Sequence, residues 1–118
     1  MPRFKKYNGP DKYHFRFYRK NGRHPFIVVL VEAKEENGKH YFSGYLITHD
    51  IRKWLEHPNQ YIKLENNPNP KDNEPTYLCT TRIEGIPQKM FSKPYKNWHL
   101  SKADEHTIDC LEKKKSSR

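Results

Sequence analysis

Five residues stand out for the chemistry they can do: Arg23, His24, Thr48, His49 and Asp50. An arginine guanidinium is a permanent cation that grips phosphate through two parallel hydrogen bonds. An imidazole moves a proton near neutral pH, and a threonine hydroxyl can hydrogen-bond a phosphate oxygen. Together they suit phosphodiester cleavage in which a ribose 2′-hydroxyl is the internal nucleophile, with no metal required. The same residues also read as the polar ends of two strands, and spacing alone does not choose between the two readings.

The chain between them must position them. Phe26-Ile27-Val28-Val29-Leu30-Val31 is a continuous run of β-branched, aromatic and aliphatic residues, which suits a strand buried on both faces. Asn37-Gly38 follows, a strong hairpin signal because a type I′ turn needs positive φ at both central residues. Tyr41 to Thr48 returns as a second strand. With Asn37 and Gly38 as the two loop residues, paired positions sum to 75, so Ile27 faces Thr48 and Phe26 faces His49. Arg23-His24 and Thr48-His49-Asp50 then meet at one end of the hairpin.

The rest of the chain reads as short strands around this hairpin. Residues 1–11, with two prolines and a glycine, read as a flexible basic arm. Lys12 to Arg19 alternates, Tyr13, Phe15 and Phe17 against His14 and Arg16, as a half-buried strand does. Asp50 caps a short helix with Ile51, Trp54 and Leu55 on one face, ended by His57-Pro58. Tyr61 to Leu64 is a short strand, and residues 65–76 form a turn-rich loop with three prolines. Tyr77 to Ile86 reads as one strand in which Gly85 marks a bulge or sharp bend. Ser101-Lys102-Ala103-Asp104 is a near capping box, predicting a helix over 102–113 with Ala103, Thr107, Ile108 and Leu111 as its apolar stripe. Lys113, Lys114 and Lys115 suit its C-terminus, and residues 114–118 read as a disordered tail. The expected architecture is a single mainly β domain over 1–118, a small twisted barrel or open sheet with a C-terminal helix.

Charge narrows the partners. The 118 residues hold 23 Lys plus Arg against 14 Asp plus Glu, a net +9. Residues 1–25 alone carry eight cations against Asp11, a local +7. Such a field favours polyanions, with nucleic acid the first candidate and Lys5, Lys6, Lys12, Arg16, Arg19 and Lys20 the expected RNA contacts. A solvated surface that maintains solubility is the plainer reading. Tyr13, Phe15 and Phe17 suit base stacking, but a core role fits better because one strand face is normally buried.

The seven histidines and two cysteines show neither HExxH nor paired Cys/His spacing, so no metal and no cofactor is expected. Cys79 as a nucleophile has no supporting motif, and Cys110 reads as a packing residue on the helix. No apolar run of eighteen residues occurs, and a reducing cytoplasm with no membrane partner is the expectation.

Gly22-Arg23-His24-Pro25 followed by the Phe26–Val31 strand resembles the G-x-R-x-P and apolar strand of PemK/MazF-like toxins. Leu46-Ile47-Thr48-His49 is similar to the end of their second strand. The later order is similar too: a polar loop, a strand at Tyr77–Ile83, a step at Ile86–Phe91, then Leu100-Ser101 opening the helix. The likeness spans roughly residues 20–115. It implies a compact SH3-like barrel, a homodimer, and a metal-independent endoribonuclease acting on single-stranded RNA and held in check by a cognate antitoxin. By the same resemblance Arg23 and Thr48 match the catalytic arginine and its hydroxyl partner, with His24 or His49 as acid or base. His24 stands where a second arginine is common, the turn before Arg23 is shorter than the family's substrate loop, and Cys79-Thr80-Thr81 stands where some members carry an acid. A different class of protein fits the same composition: a catalytically inert small barrel that binds nucleic acid or a protein partner.

Overall fold

The computed structural model describes residues 13–20, 24–34 and 38–116, of which residues 115 and 116 are described by their backbone alone. In chain order the elements are β1 (His14–Tyr18), β2 (His24–Ala33), β3 (His40–Thr48), α1 (Ile51–Glu56), β4 (Tyr61–Lys63), β5 (Tyr77–Cys79), β6 (Ile83–Pro87), a 3-10 turn at Gln88–Met90, and α2 (Lys102–Ser116). The described strand pairings set out below are antiparallel. The chain is therefore mainly β with a C-terminal helix, as the sequence predicts. It divides into two compact units, Met1–Ile47 with Thr81–Lys96, and Thr48–Thr80 with Asn97–Arg118.

In the first unit β2 lies between β1 and β3, and side chains line up in rows across the three strands. Phe15, Ile27 and Tyr45 form one such row, with Phe15 paired to Ile27 and Ile27 to Tyr45; all three are buried. Because side chains alternate along a strand, His14, Val28 and Gly44 form a row on the opposite face, and Arg16, Phe26 and Leu46 another. There Tyr18, Phe26, Val28, Phe42 and Phe91 make a core against which Leu46, Ile83, Ile86 and Met90 pack. Burial on both faces is what the unbroken apolar run of β2 predicts. For β1 it corrects the half-buried reading: His14, Phe15 and Arg16 are all buried.

The hairpin register differs from the two-residue expectation by three positions. Lys34 N–H donates to the Lys39 carbonyl, so the loop between them holds four residues, and paired positions from Ala33↔His40 to Leu30↔Ser43 sum to 73. Gly38, at φ 67°, supplies the left-handed residue at the loop's end. A bulge at Val29 then moves the sum to 72. Ile27 consequently faces Tyr45 rather than Thr48, and Phe26 faces Leu46 rather than His49. Two positions of the error come from the longer loop and one from the bulge. A Cβ on Gly44 would run into the Ile27 carbonyl and the Phe26 ring, so this close approach of β2 and β3 requires glycine.

β6 pairs with β3 in the same unit, Phe42 with Ile86 and Gly44 with Ile83. Glu84 and Gly85 sit opposite Ser43 alone. Gly85 takes φ 67° and its N–H donates to Ser43 Oγ, so the glycine marks a bulge as predicted. After the 3-10 turn the chain runs beside β1: Phe91 bridges to Tyr18 and Tyr95 to Phe15.

In the second unit β4 and β5 pair, Tyr61 with Cys79 and Lys63 with Tyr77. The strand expected over 77–86 is thus two strands, broken where Thr80 N–H turns to the Gln60 carbonyl. Asp50 caps α1 as predicted, accepting from Arg52 N–H at 3.0 Å. The predicted apolar face of α1 is not buried: Ile51 and Leu55 are exposed, and only Trp54 engages, stacking on Tyr77 at 5.3 Å. Ser101 caps α2 through Asp104 N–H at 3.1 Å, and Ile108 is buried. Ala103, placed in the predicted stripe, is exposed, and its turn position is taken by buried Asp104. Positions 114–116, expected in a tail, continue the helix.

Candidate functional site around His49

Three consecutive residues, Thr48 at the end of β3 and the two that follow it, build the polar cluster in the second unit. Thr48 Oγ1 accepts from Asp50 N–H at 3.1 Å, a tight turn that ends the strand. Asp50 then begins α1, and Arg52 holds its carboxyl below the usual value through side-chain and backbone hydrogen bonds. The reciprocal effect raises Arg52. Between them His49 turns toward the loop over 65–76.

That loop is ordered by its own polar residues. Asn67 Oδ1 accepts from Asn69 N–H, Asn69 Oδ1 from Lys71 N–H and Asp72 Oδ1 from Glu74 N–H, each at 3.0 Å. These are local side-chain caps that let a proline-rich segment satisfy its backbone without a ladder. From α2, the Asp104 carboxylate accepts from Glu65 and Asn66 N–H and fixes the loop's start. The loop encloses a cavity of about 370 Å³ whose lining includes Lys63, Asn67, Asp72 and Thr76.

His49 meets the far end of this loop. Its Nδ1 lies 3.2 Å from the Pro75 carbonyl and 3.3 Å from Thr76 Oγ1. A carbonyl oxygen only accepts, so this hydrogen bond requires the proton on Nδ1. Thr76 in turn donates to the Glu74 carbonyl, which leaves its oxygen free to share the Nδ1 proton. Nε2 is thereby the basic nitrogen of the neutral ring, and it faces Asp72 Oδ2 at 3.9 Å. The arrangement fixes the ring and its tautomer, which a proton-transferring histidine needs. His49, Asp72 and Glu74 also offer one ligand atom each within 4.8 Å of one another, the set among the described residues that could hold a metal ion. The sequence showed no metal spacing because His49 lies far along the chain from Asp72 and Glu74 and meets them only through the fold of the loop.

Thr48 and His49 are neighbours in this unit. His24 begins β2 in the first unit, exposed and paired with Tyr18. Arg19 and Lys20 are exposed at the end of β1. Arg16 is not an exposed contact: it is buried, with Nε donating to His14 Nε2 at 2.9 Å, Nη1 donating to the Ser92 carbonyl at 3.0 Å, and the guanidinium 4.6 Å from the centre of the Phe42 ring. Arg23, Lys5, Lys6 and Lys12 lie outside the described residues.

The chain matches no family model, no curated protein and no solved structure among those compared. The charge distribution is the informative property that remains. The sequence of the first unit holds 14 Lys plus Arg against 5 Asp plus Glu, a net +9. That of the second holds nine of each, a net of zero. The N-terminal part of this excess is plain in the sequence, whereas the share contributed by residues 81–96 joins it only through the fold.

Proposed function

We propose that the chain is an RNA-directed small barrel of the PemK/MazF toxin type, cleaving single-stranded RNA without a metal. The observation that carries this reading is the segregation of charge: the whole excess of +9 belongs to one β unit, and the other unit has zero net charge. A charge confined to one unit forms a directed field, which attracts a polyanion more than a uniform solubilising charge would. The barrel itself is supported by the path after β6, since the chain leaves β3's edge, turns at Gln88–Met90 and pairs with β1.

In the proposed reaction His49 Nε2 takes the 2′-hydroxyl proton, the freed oxygen attacks the adjacent phosphorus, and the 5′-oxygen leaves with a proton from a second group. Thr48 hydrogen-bonds a phosphate oxygen. The family resemblance adds Arg23 as the cation that stabilises charge on the phosphorane and His24 as the second acid or base. It also brings a cytoplasmic homodimer and a cognate antitoxin.

The test is cleavage of single-stranded RNA in excess EDTA by wild type, Arg23→Ala, Thr48→Ala and His49→Ala. Metal-free cleavage by wild type that disappears in the variants is expected. Cleavage abolished by EDTA refutes the metal-free route and directs attention to His49, Asp72 and Glu74. RNA binding with no cleavage by wild type leaves an inert binding barrel.

A further inference from the structure

The sequence contains no Asp or Glu between Asp11 and Glu32, and none between Glu84 and Asp104. The fold brings parts of these two acid-free stretches side by side. Phe15 bridges to Tyr95 and Tyr18 to Phe91, while Ser92 N–H donates to the Phe17 carbonyl, Tyr95 N–H to the Phe15 carbonyl and Arg19 N–H to the Met90 carbonyl. The result is a two-stranded ladder within the first unit. Arg19 and Lys20 are exposed at one side of it, Lys93 and Lys96 at the other, with Lys89 just before. Between the cations, Phe17 and Tyr95 are half-buried and meet edge to face at 5.0 Å.

Cations flanking part-exposed rings on a β surface are the two components of a single-strand binding platform. Bases stack on rings because every base has a π face, and lysines follow the backbone phosphates. The ladder is anchored on both faces of β1: Phe15, on the face of Phe17, is buried, and Arg16, on the opposite face, donates to the Ser92 carbonyl. The ladder's own residues include no carboxylate to compete with phosphate for its lysines.

We infer that the ladder of β1 with residues 91–96 is a single-stranded RNA track, with Phe17 and Tyr95 stacking bases and Arg19, Lys20, Lys93 and Lys96 meeting phosphates. This rests on the RNA-directed reading above and says where on the unit the strand lies. It adds residues 93–96, which begin 68 positions after the end of the basic segment 1–25.

The experiment is a fluorescence anisotropy titration of the full chain with a short labelled oligouridylate at several salt concentrations. Lys93→Gln with Lys96→Gln should flatten the log K against log salt slope by about 0.7 for each phosphate no longer neutralised. Tyr95→Ala should weaken binding on the order of tenfold, as removal of one stacked base does, and Tyr95→Phe should restore it. Lys102→Gln with Lys114→Gln, exposed on α2 in the neutral unit, should leave the slope unchanged. Wild-type binding that the lysine pair and Tyr95→Ala do not alter overturns the track while leaving the RNA-directed reading intact. Duplex RNA bound as tightly as the single strand overturns it too. Absence of wild-type binding removes both. Should Tyr95→Ala fold poorly, the exposed lysine pair still decides.

Discussion

Asp104 and Glu65, thirty-nine positions apart, are joined by a 2.8 Å hydrogen bond from the Glu65 backbone N–H to the Asp104 carboxylate. Asn66 N–H donates to the other oxygen at 3.3 Å. The third residue after a helix cap usually reaches back to the cap's own N–H; here it reaches out and ties α2 to the loop against which His49 rests. Asp104→Ala removes the acceptor of both hydrogen bonds, each worth on the order of 1 kcal/mol. The expected result is a lower urea midpoint with slope unchanged. A variant as stable as wild type would show that the pairing contributes nothing.

Gly44 and Gly85 should respond differently to alanine. At Gly44 a Cβ collides with backbone, the Ile27 carbonyl, which cannot move without disturbing the β2–β3 ladder. At Gly85 nothing lies within 4 Å of the added Cβ, so only the left-handed φ of 67° resists. Gly85→Ala should cost about 1–2 kcal/mol from that conformation, and Gly44→Ala should cost more. Thermal unfolding of the two variants side by side checks the order, and equal destabilisation would contradict it.

Tyr61 gives an alkaline prediction. Burial raises its phenol above the ordinary 10.0, and Cys79, its partner across β4 and β5, adds to the rise. The folded state therefore holds the proton longer than the unfolded chain. The stability this provides is complete below pH 10.0 and is lost as pH rises through the folded value. Tyr61→Phe should flatten the fall in stability at high pH, and Cys79→Ala should move the phenolate absorbance transition to lower pH. A transition unmoved by the cysteine variant would leave burial, with the Asp50 charge, as the cause.

The strand pattern and both helix starts were legible because local signals carry them. The β2 run, the Gly85 bulge, the Asp50 cap and the Ser101 cap each depend on residues a few positions apart. The register was not legible, since it depends on a four-residue loop and a bulge at Val29, neither of which the Asn-Gly pair reveals. Arg16 was misplaced for a related reason. Alternation puts it on the face of His14, and cations normally mark solvent; here a carbonyl from Ser92, an imidazole and the Phe42 ring accommodate the guanidinium inside. Asp72 and Thr76 escaped notice beside His49 because the loop's asparagines and prolines signal turns without saying where the turns lead.

The last prediction concerns those three residues. His49 holds its Nδ1 proton between the Pro75 carbonyl and Thr76 Oγ1, so Nε2 is the nitrogen available to a substrate. Asp72 Oδ2 lies 3.9 Å from that nitrogen. If His49 is the base, His49→Ala should lower the cleavage rate on the order of 10²–10⁴-fold and remove the rising limb of the rate–pH profile that a deprotonating base produces. Thr76→Val keeps the shape but not the hydroxyl, so the ring keeps only its Pro75 hydrogen bond; a smaller fall in kcat with KM unchanged is expected. Asp72→Asn keeps the shape but removes the charge facing Nε2, so a lower kcat with KM unchanged is expected. Wild-type rates in His49→Ala would take the histidine out of the reaction. An unchanged kcat in Asp72→Asn would mean that the carboxylate orders the loop and does not act on the ring.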